Sequence, residues 1–329
     1  MGQRRRYAAT GRAAAVEDWA VYRFRRILVP IRKLNVRRSV VAERAAQIAA
    51  GCGARLELFH DLSTPVYVDT LYGAGKSLSE QTRAMRARAL AQLERLAAPL
   101  RQRGLKVTTA AAWDFPPYEA VIRRAQASGA DLIVAHKRGH HQMQSLLGYT
   151  DWELLRASPV PLLLIKTPRH RARAPVLAAI DPRQAAAKPG PLEREILRNA
   201  AALAAALRAP LHAAQVQAAW APWGRSAGER RNVLLRHARA VRIAPARVHQ
   251  LEGSPDVLLP AAARRLRAGT VVMGALSRRG LQRVFLGNTA ERLLDDLRCD
   301  VLVVKPPRFP ARLPRARRGI FYLSNLPLA

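Results

Sequence analysis

Gly148-Tyr-Thr-Asp-Trp-Glu-Leu-Leu-Arg-Ala-Ser-Pro-Val-Pro-Leu-Leu-Leu-Ile-Lys166 lies without a gap over Gly287-Asn-Thr-Ala-Glu-Arg-Leu-Leu-Asp-Asp-Leu-Arg-Cys-Asp-Val-Leu-Val-Val-Lys305. Both copies share a leading Gly, a Thr, a Leu-Leu pair and a closing Lys behind a short aliphatic run. A run of that kind bounded by turn residues reads as a buried strand, and the segment before it as a helix. The same helix and strand in both halves make a duplication the simplest explanation.

The upstream pattern repeats too. In the first half, strands are expected at Arg26–Ile31, Arg55–His60, Lys106–Ala111, Asp131–Ala135 and Val160–Ile165. Helices fall between them at about Val36–Ala50, Leu78–Arg103, Pro117–Ala127 and Thr150–Ala157, and glycines 51, 53 and 104 serve as stops. In the second half the strands are Val176–Ile180, Leu211–Val216, Arg247–Leu251, Thr270–Met273 and Val301–Val304. Its helices are about Pro191–Leu207, Ala227–Val241, Pro255–Ala268 and Thr289–Leu297. Strand–helix alternation implies parallel pairing through right-handed crossovers. The expected fold is α/β: two doubly wound, five-stranded parallel-sheet domains in tandem. The divisions are a basic tail at 1–23, a first domain at 24–167, a basic, proline-containing linker at 168–175, a second domain at 176–306 and a second basic tail at 307–329.

At 329 residues with 49% hydrophobic content, the chain can fill two cores. Cys52 and Cys299 stand far apart in no metal-ligand spacing, which argues against a disulfide framework or a zinc site and fits a reducing compartment. Glu17 and Asp18 interrupt any apolar core behind the N-terminal arginines, so no secretory signal is expected, and no apolar run has the length of a membrane helix. A cytoplasmic protein without a membrane partner is the expectation. The net charge of +33 is large enough to attract nucleic acid nonspecifically. The two ends, residues 1–26 and 306–329, account for +10 of it. With aromatics at 5% there is no sign of a base-stacking platform, and a solvated basic surface is the plainer reading.

Gly274-Ala-Leu-Ser277 follows a strand, and Gly287-Asn288-Thr289 opens a helix. Ligands of open α/β sheets bind beyond the carboxyl ends of strands, and a glycine turn at a helix start offers free N–H groups to phosphate oxygens. The same residues also read as tight turns with Asn288 or Thr289 as an N-cap. Residue pattern alone leaves both readings open.

These motifs resemble those of the universal stress protein family, which has a strand ending in Asp and a Gly-x2-Gly-x9-Gly-[Ser/Thr] motif between the fourth strand and fourth helix. Leu177-Ala-Ala-Ile-Asp181 is similar to the first strand, Glu252-Gly-Ser-Pro255 to the turn after the third, and Val-Leu-Val-Val-Lys305 to the last. The likeness runs from about residue 24 to 306. It implies an adenine nucleotide such as ATP, with Mg²⁺, in the second domain. Asp181 would hold the nucleoside and Val216, at the end of the second strand, would also contact the ligand. Gly274, Ser277 and Gly287 would admit the phosphates, and Asn288 and Thr289 would bind them. Ser277 replaces the family's second glycine and Asn288 its Ser or Thr, which weakens the expected grip. In the first domain Arg32 stands where Asp is expected and His136-Lys-Arg-Gly139 replaces Gly274–Ser277, so that site is expected to be degenerate. The resemblance further implies that the halves pack as an internal pseudo-dimer, and it allows a homodimer.

Other motifs carry less. His136, His140 and His141 could approach a metal, but Lys137 and Arg138 oppose a cation there. Gly73-Ala-Gly75-Lys76-Ser77 ends like a phosphate loop, yet Thr70 occupies the position of its first glycine. No paired carboxylates or nucleophile constellation stands out, so the expectation is a stress-associated binding or regulatory protein and at most a slow ATPase. A nucleic-acid-binding protein using the basic surface is the remaining class.

Overall fold

Branched and aliphatic runs form strands here because both faces of the sheet are covered by helices. The computed structural model describes residues 22–62, 78–136, 150–168, 171–181, 191–217, 227–275, 293–307, 309 and 313. In the first half, β1 (Arg26–Pro30), α1 (Val40–Cys52), β2 (Arg55–Asp61), α2 (Leu78–Gln102), β3 (Val107–Ala112), α3 (Pro117–Ser128), β4 (Leu132–His136), α4 (Thr150–Ala157) and β5 (Leu162–Ile165) follow in order. In the second come β6 (Val176–Ala179), α5 (Pro191–Leu207), β7 (Leu211–Gln217), α6 (Ala227–Ala240), β8 (Val248–Glu252), α7 (Pro255–Arg265), β9 (Thr270–Gly274) and β10 (Asp300–Val304). Residues 293–296 form a helical turn before β10.

Helix α1 starts later than periodicity suggested. Ser39 accepts a hydrogen bond from the Ala42 N–H as its N-cap, and Gly53, at φ +74°, closes it in the left-handed conformation. Helix α7 stops at Arg265, three residues before the expected end, with Arg267 in the left-handed region at φ +51°. The expected helix before β10 lies outside the described residues up to position 292.

Among the described residues the strands form one ten-stranded sheet in the order β3-β2-β1-β4-β5-β10-β9-β6-β7-β8. Each half is parallel within itself, as expected, but the two join through antiparallel β5 and β10, with Val301 opposite Leu164 and Val303 opposite Leu162. Both strands are fully buried, so leaving either as an open edge would expose an aggregation-prone row of backbone groups. The order in one half mirrors the other, giving the halves an approximate two-fold relation. One core, under α1, α2, α5 and α6, includes Ile48, Leu93, Leu203 and Leu234, and the opposite core includes Ile122, Leu154, Leu259 and Leu294. Each core draws on both halves.

The closing lysines shared by the duplicated segments act across this junction. Lys166 donates to the Leu294 carbonyl at 2.6 Å and also to that of Leu297, at the end of the other half's last helical turn. Lys305 donates to the carbonyls of Leu155 and Arg156, at 2.6 and 3.0 Å, at the end of α4. Each lysine therefore satisfies carbonyls that a helix end leaves unpaired. Asp300, fully buried, adds a non-symmetric lock: it pairs with buried Arg44 of α1 and accepts from the Lys166 and Thr167 backbone N–H groups and the Thr167 hydroxyl.

Candidate functional site

In the second half, chain order runs β6 to β7 to β8 on one side of β6 and then returns to β9 on the other. The reversal opens a crevice between the carboxyl ends of β6 and β9, where open α/β sheets bind ligands. Asp181 stands two residues beyond β6, after buried Ile180, and is partly exposed. Ala179 pairs with Ala214 of β7 and Ala178 with Val272 of β9. Continuing those registers places Asp181 level with Val216 on one side and with Ala275, just past Gly274, on the other. The Ile180 N–H bonds the Ala214 carbonyl at 3.0 Å and that of Ala275 bonds the Val304 carbonyl at 3.0 Å, so strand-like pairing continues to the rim.

Three of the seven site residues expected from sequence, Asp181, Val216 and Gly274, are thus brought to one rim of the sheet. Ser277, Gly287, Asn288 and Thr289 lie outside the described residues, as do Arg278 and Arg279. Gly274 has a packing reason for lacking a side chain. A Cβ there would lie 2.8 Å from Leu192 Cδ2 and 3.1 Å from Ile196 Cδ1, in the first turns of α5. The missing methyl lets that helix settle over the crevice floor.

Gln215, next to Val216, is 1% exposed, and its Oε1 has no hydrogen-bond partner; Gln250, opposite it on β8, has an unpartnered Nε2. Buried amide atoms left unsatisfied are rare and call for a partner. The alternation of strand Leu211-His-Ala-Ala-Gln-Val-Gln217 gave a signal for Gln215, a polar residue at a position expected to be buried, but sequence reasoning passed over it.

The first half has the same crevice with different chemistry. Arg32, two residues beyond β1, corresponds to Asp181, and Asp151, in the first turn of α4, corresponds to Ala290. Arg32 Nη2 meets Asp151 Oδ1 at 2.5 Å. An anion at a helix N-terminus interacts favourably with the helix dipole. The chain supplies that anion itself as Asp151 and neutralises it with Arg32, so the position is filled from within. His136 ends β4 exposed, while His140, His141 and the Gly73–Ser77 loop lie outside the described residues. No group of three or more His, Cys, Asp or Glu side chains suited to a metal occurs among the described residues. No helix among them is long and apolar enough to cross a membrane.

The sequence model of the Universal stress protein family matches residues 23–166 and again 175–305. Universal stress protein E of Photorhabdus laumondii is 25% identical over 292 residues, covering 83% of this chain and 93% of that protein. A functionally unknown protein from Pseudomonas aeruginosa PAO1 superposes with a TM-score of 0.61 at 28% identity, covering 86% of this chain and 93% of its own. A universal stress protein from Archaeoglobus fulgidus gives a TM-score of 0.62 at 19% identity, over 85% of this chain and 96% of that one, a likeness of fold.

Proposed function

Because the chain belongs to the universal stress protein family, matched in both of its halves, we propose that it is a cytoplasmic stress-response regulator whose second half binds an adenine nucleotide such as ATP. The observation that carries the reading is the placement of Asp181 level with Val216 and one residue past Gly274, at the carboxyl ends of three neighbouring parallel strands, at the point where strand order reverses. The residues present fit the ligand's nucleoside end. A carboxylate at the rim would accept from ribose hydroxyls, and Val216 would lie against the ligand beside it. Ser277, Gly287, Asn288 and Thr289 would hold the phosphates with N–H groups and hydroxyls, and Arg278 or Arg279 would add charge. Mg²⁺ would come with the phosphates rather than with a set of protein carboxylates.

The first half is the internal control for this reading. Its corresponding position carries Arg32 bound to Asp151, so no nucleotide is expected there. Calorimetric titration with ATP and Mg²⁺, on protein freed of carried-over nucleotide, tests the assignment. Asp181→Ala removes a charge-assisted acceptor and should weaken binding by about 10- to 100-fold. Equal affinity in wild type and Asp181→Ala would sink the placement. Gly287→Asp, which puts a carboxylate where phosphate is expected, should abolish binding.

A further inference from the structure

At the edge of the sheet opposite the crevice, the helices of the two halves end differently. In the first half, α1, α2 and α3 each end in a left-handed glycine: Gly53 at φ +74°, Gly104 at +81° and Gly129 at +65°. In the second half the corresponding positions after α5, α6 and α7 are arginines, also left-handed: Arg208 at φ +50°, Arg242 at +58° and Arg267 at +51°. Arg173, before β6, is left-handed as well at φ +56°. A side chain in this region costs conformational energy that glycine avoids. A drift of composition towards arginine does not account for three replacements on one edge of one half while the other half keeps glycine at all three positions.

The four arginines precede β9, β6, β7 and β8, which are consecutive neighbours. Strands lie about 4.8 Å apart, so the row runs about 14 Å along the sheet edge. All four side chains are exposed, and none of them makes an ion pair among the described residues. One end of the row opens into a cavity of about 260 Å³ lined by Arg171, Arg264, Arg267 and Arg298, with Thr167 and Cys299. Among the described residues no carboxylate lines it. It is smaller than the roughly 300–1,000 Å³ of sites for drug-sized ligands, and among the described residues no aromatic side chain lines it for a base to stack on.

We propose that this arginine edge binds a linear chain of phosphates, recognised by charge and spacing and not by base. Two sources share that chemistry, inorganic polyphosphate and the backbone of a single-stranded nucleic acid. The test titrates the full-length protein with inorganic polyphosphate of about 15 units and, separately, with a 15-nucleotide thymidine oligomer, each over a range of salt. The variant is Arg208→Gly/Arg242→Gly/Arg267→Gly, which restores the first half's glycines and relieves the backbone. Its melting temperature should match or exceed that of wild type, and its polyphosphate affinity should fall at least tenfold. The slope of log affinity against log salt should fall by about 2, for three lost phosphate contacts.

Arg83→Gln/Arg88→Gln/Arg95→Gln removes the same charge from the exposed face of α2 and should leave affinity within twofold. Wild-type affinity in the edge variant, or an equal loss in the α2 variant, would overturn the proposal. An oligonucleotide affinity that falls in parallel assigns the edge to phosphodiester as well as inorganic chains. One that stays unchanged assigns it to inorganic polyphosphate. Binding at the crevice is scored separately by Asp181→Ala, so either assignment can fail without the other.

Discussion

Asp300 and Lys305 show how single side chains set the junction between the halves. Asp300 takes four hydrogen bonds in a fully buried position, one of them from Arg44, whose guanidinium burial pulls below its ordinary range despite the facing carboxylate. Asp300→Ala leaves Arg44 buried without its counter-charge and should cost about 3–5 kcal/mol in a urea titration. Burial first, and the Arg156 charge second, lower the Lys305 ammonium from its ordinary 10.5 to about 7. Between those values the unfolded chain holds a proton that the folded chain lacks, so this group makes stability rise with pH from about 7 to 10.5. Below about 7 the full cost of the buried charge remains. Relative to Lys305→Met, the wild type should therefore gain on the order of 3 kcal/mol between pH 7 and 10. A pH-independent difference between the two would show that Lys305 keeps its proton in the fold.

At the scale of elements, α1 and α5 cross at a contact that demands glycine. A Cβ on Gly51 would lie 1.8 Å from the Ala206 carbonyl oxygen, which is backbone and cannot swing aside. Gly51→Ala should cost about 1–3 kcal/mol by forcing the helices apart, against near-neutrality for Gly228→Ala, where the space is open. Denaturation midpoints of the two variants check this.

The sequence showed Gly51 only as a helix stop, because nothing local announces a helix from the other half. Element order and strand positions were legible because apolar runs and helical periodicity are local signals. The fusion of two expected sheets into one was not, since β5 and β10 carry no mark of which strand they meet. The repeated Lys166 and Lys305 were visible as a pattern whose purpose needed the junction. Gly274 could be picked out from its place just past a strand, whereas Asp181 and Val216 came only through the resemblance to the family. The Arg32–Asp151 pair joins positions 119 residues apart and left no trace in local sequence.

For the whole molecule, a continuous sheet and two cores drawn from both halves make independent folding of either half unfavourable. Chemical denaturation followed by tryptophan fluorescence and by circular dichroism should give one coincident transition. Two separated transitions would show that the halves are stable alone. Charge is also arranged at this scale: the carboxyl-end crevice of the second half carries Asp181, while the amino-end edge carries arginines that make no ion pair among the described residues. On the two proposals above, the same sheet would present a nucleoside acceptor at one edge and a phosphate track at the other.

On the proposed function, duplication left one nucleotide crevice, in the second half, and one filled from within by Arg32 and Asp151. Calorimetric stoichiometry of ATP with Mg²⁺ on the full-length chain tests it most directly. One nucleotide per chain is expected, lost in Asp181→Ala and retained in Arg32→Ala. Two per chain, none, or a single site that survives Asp181→Ala would contradict it.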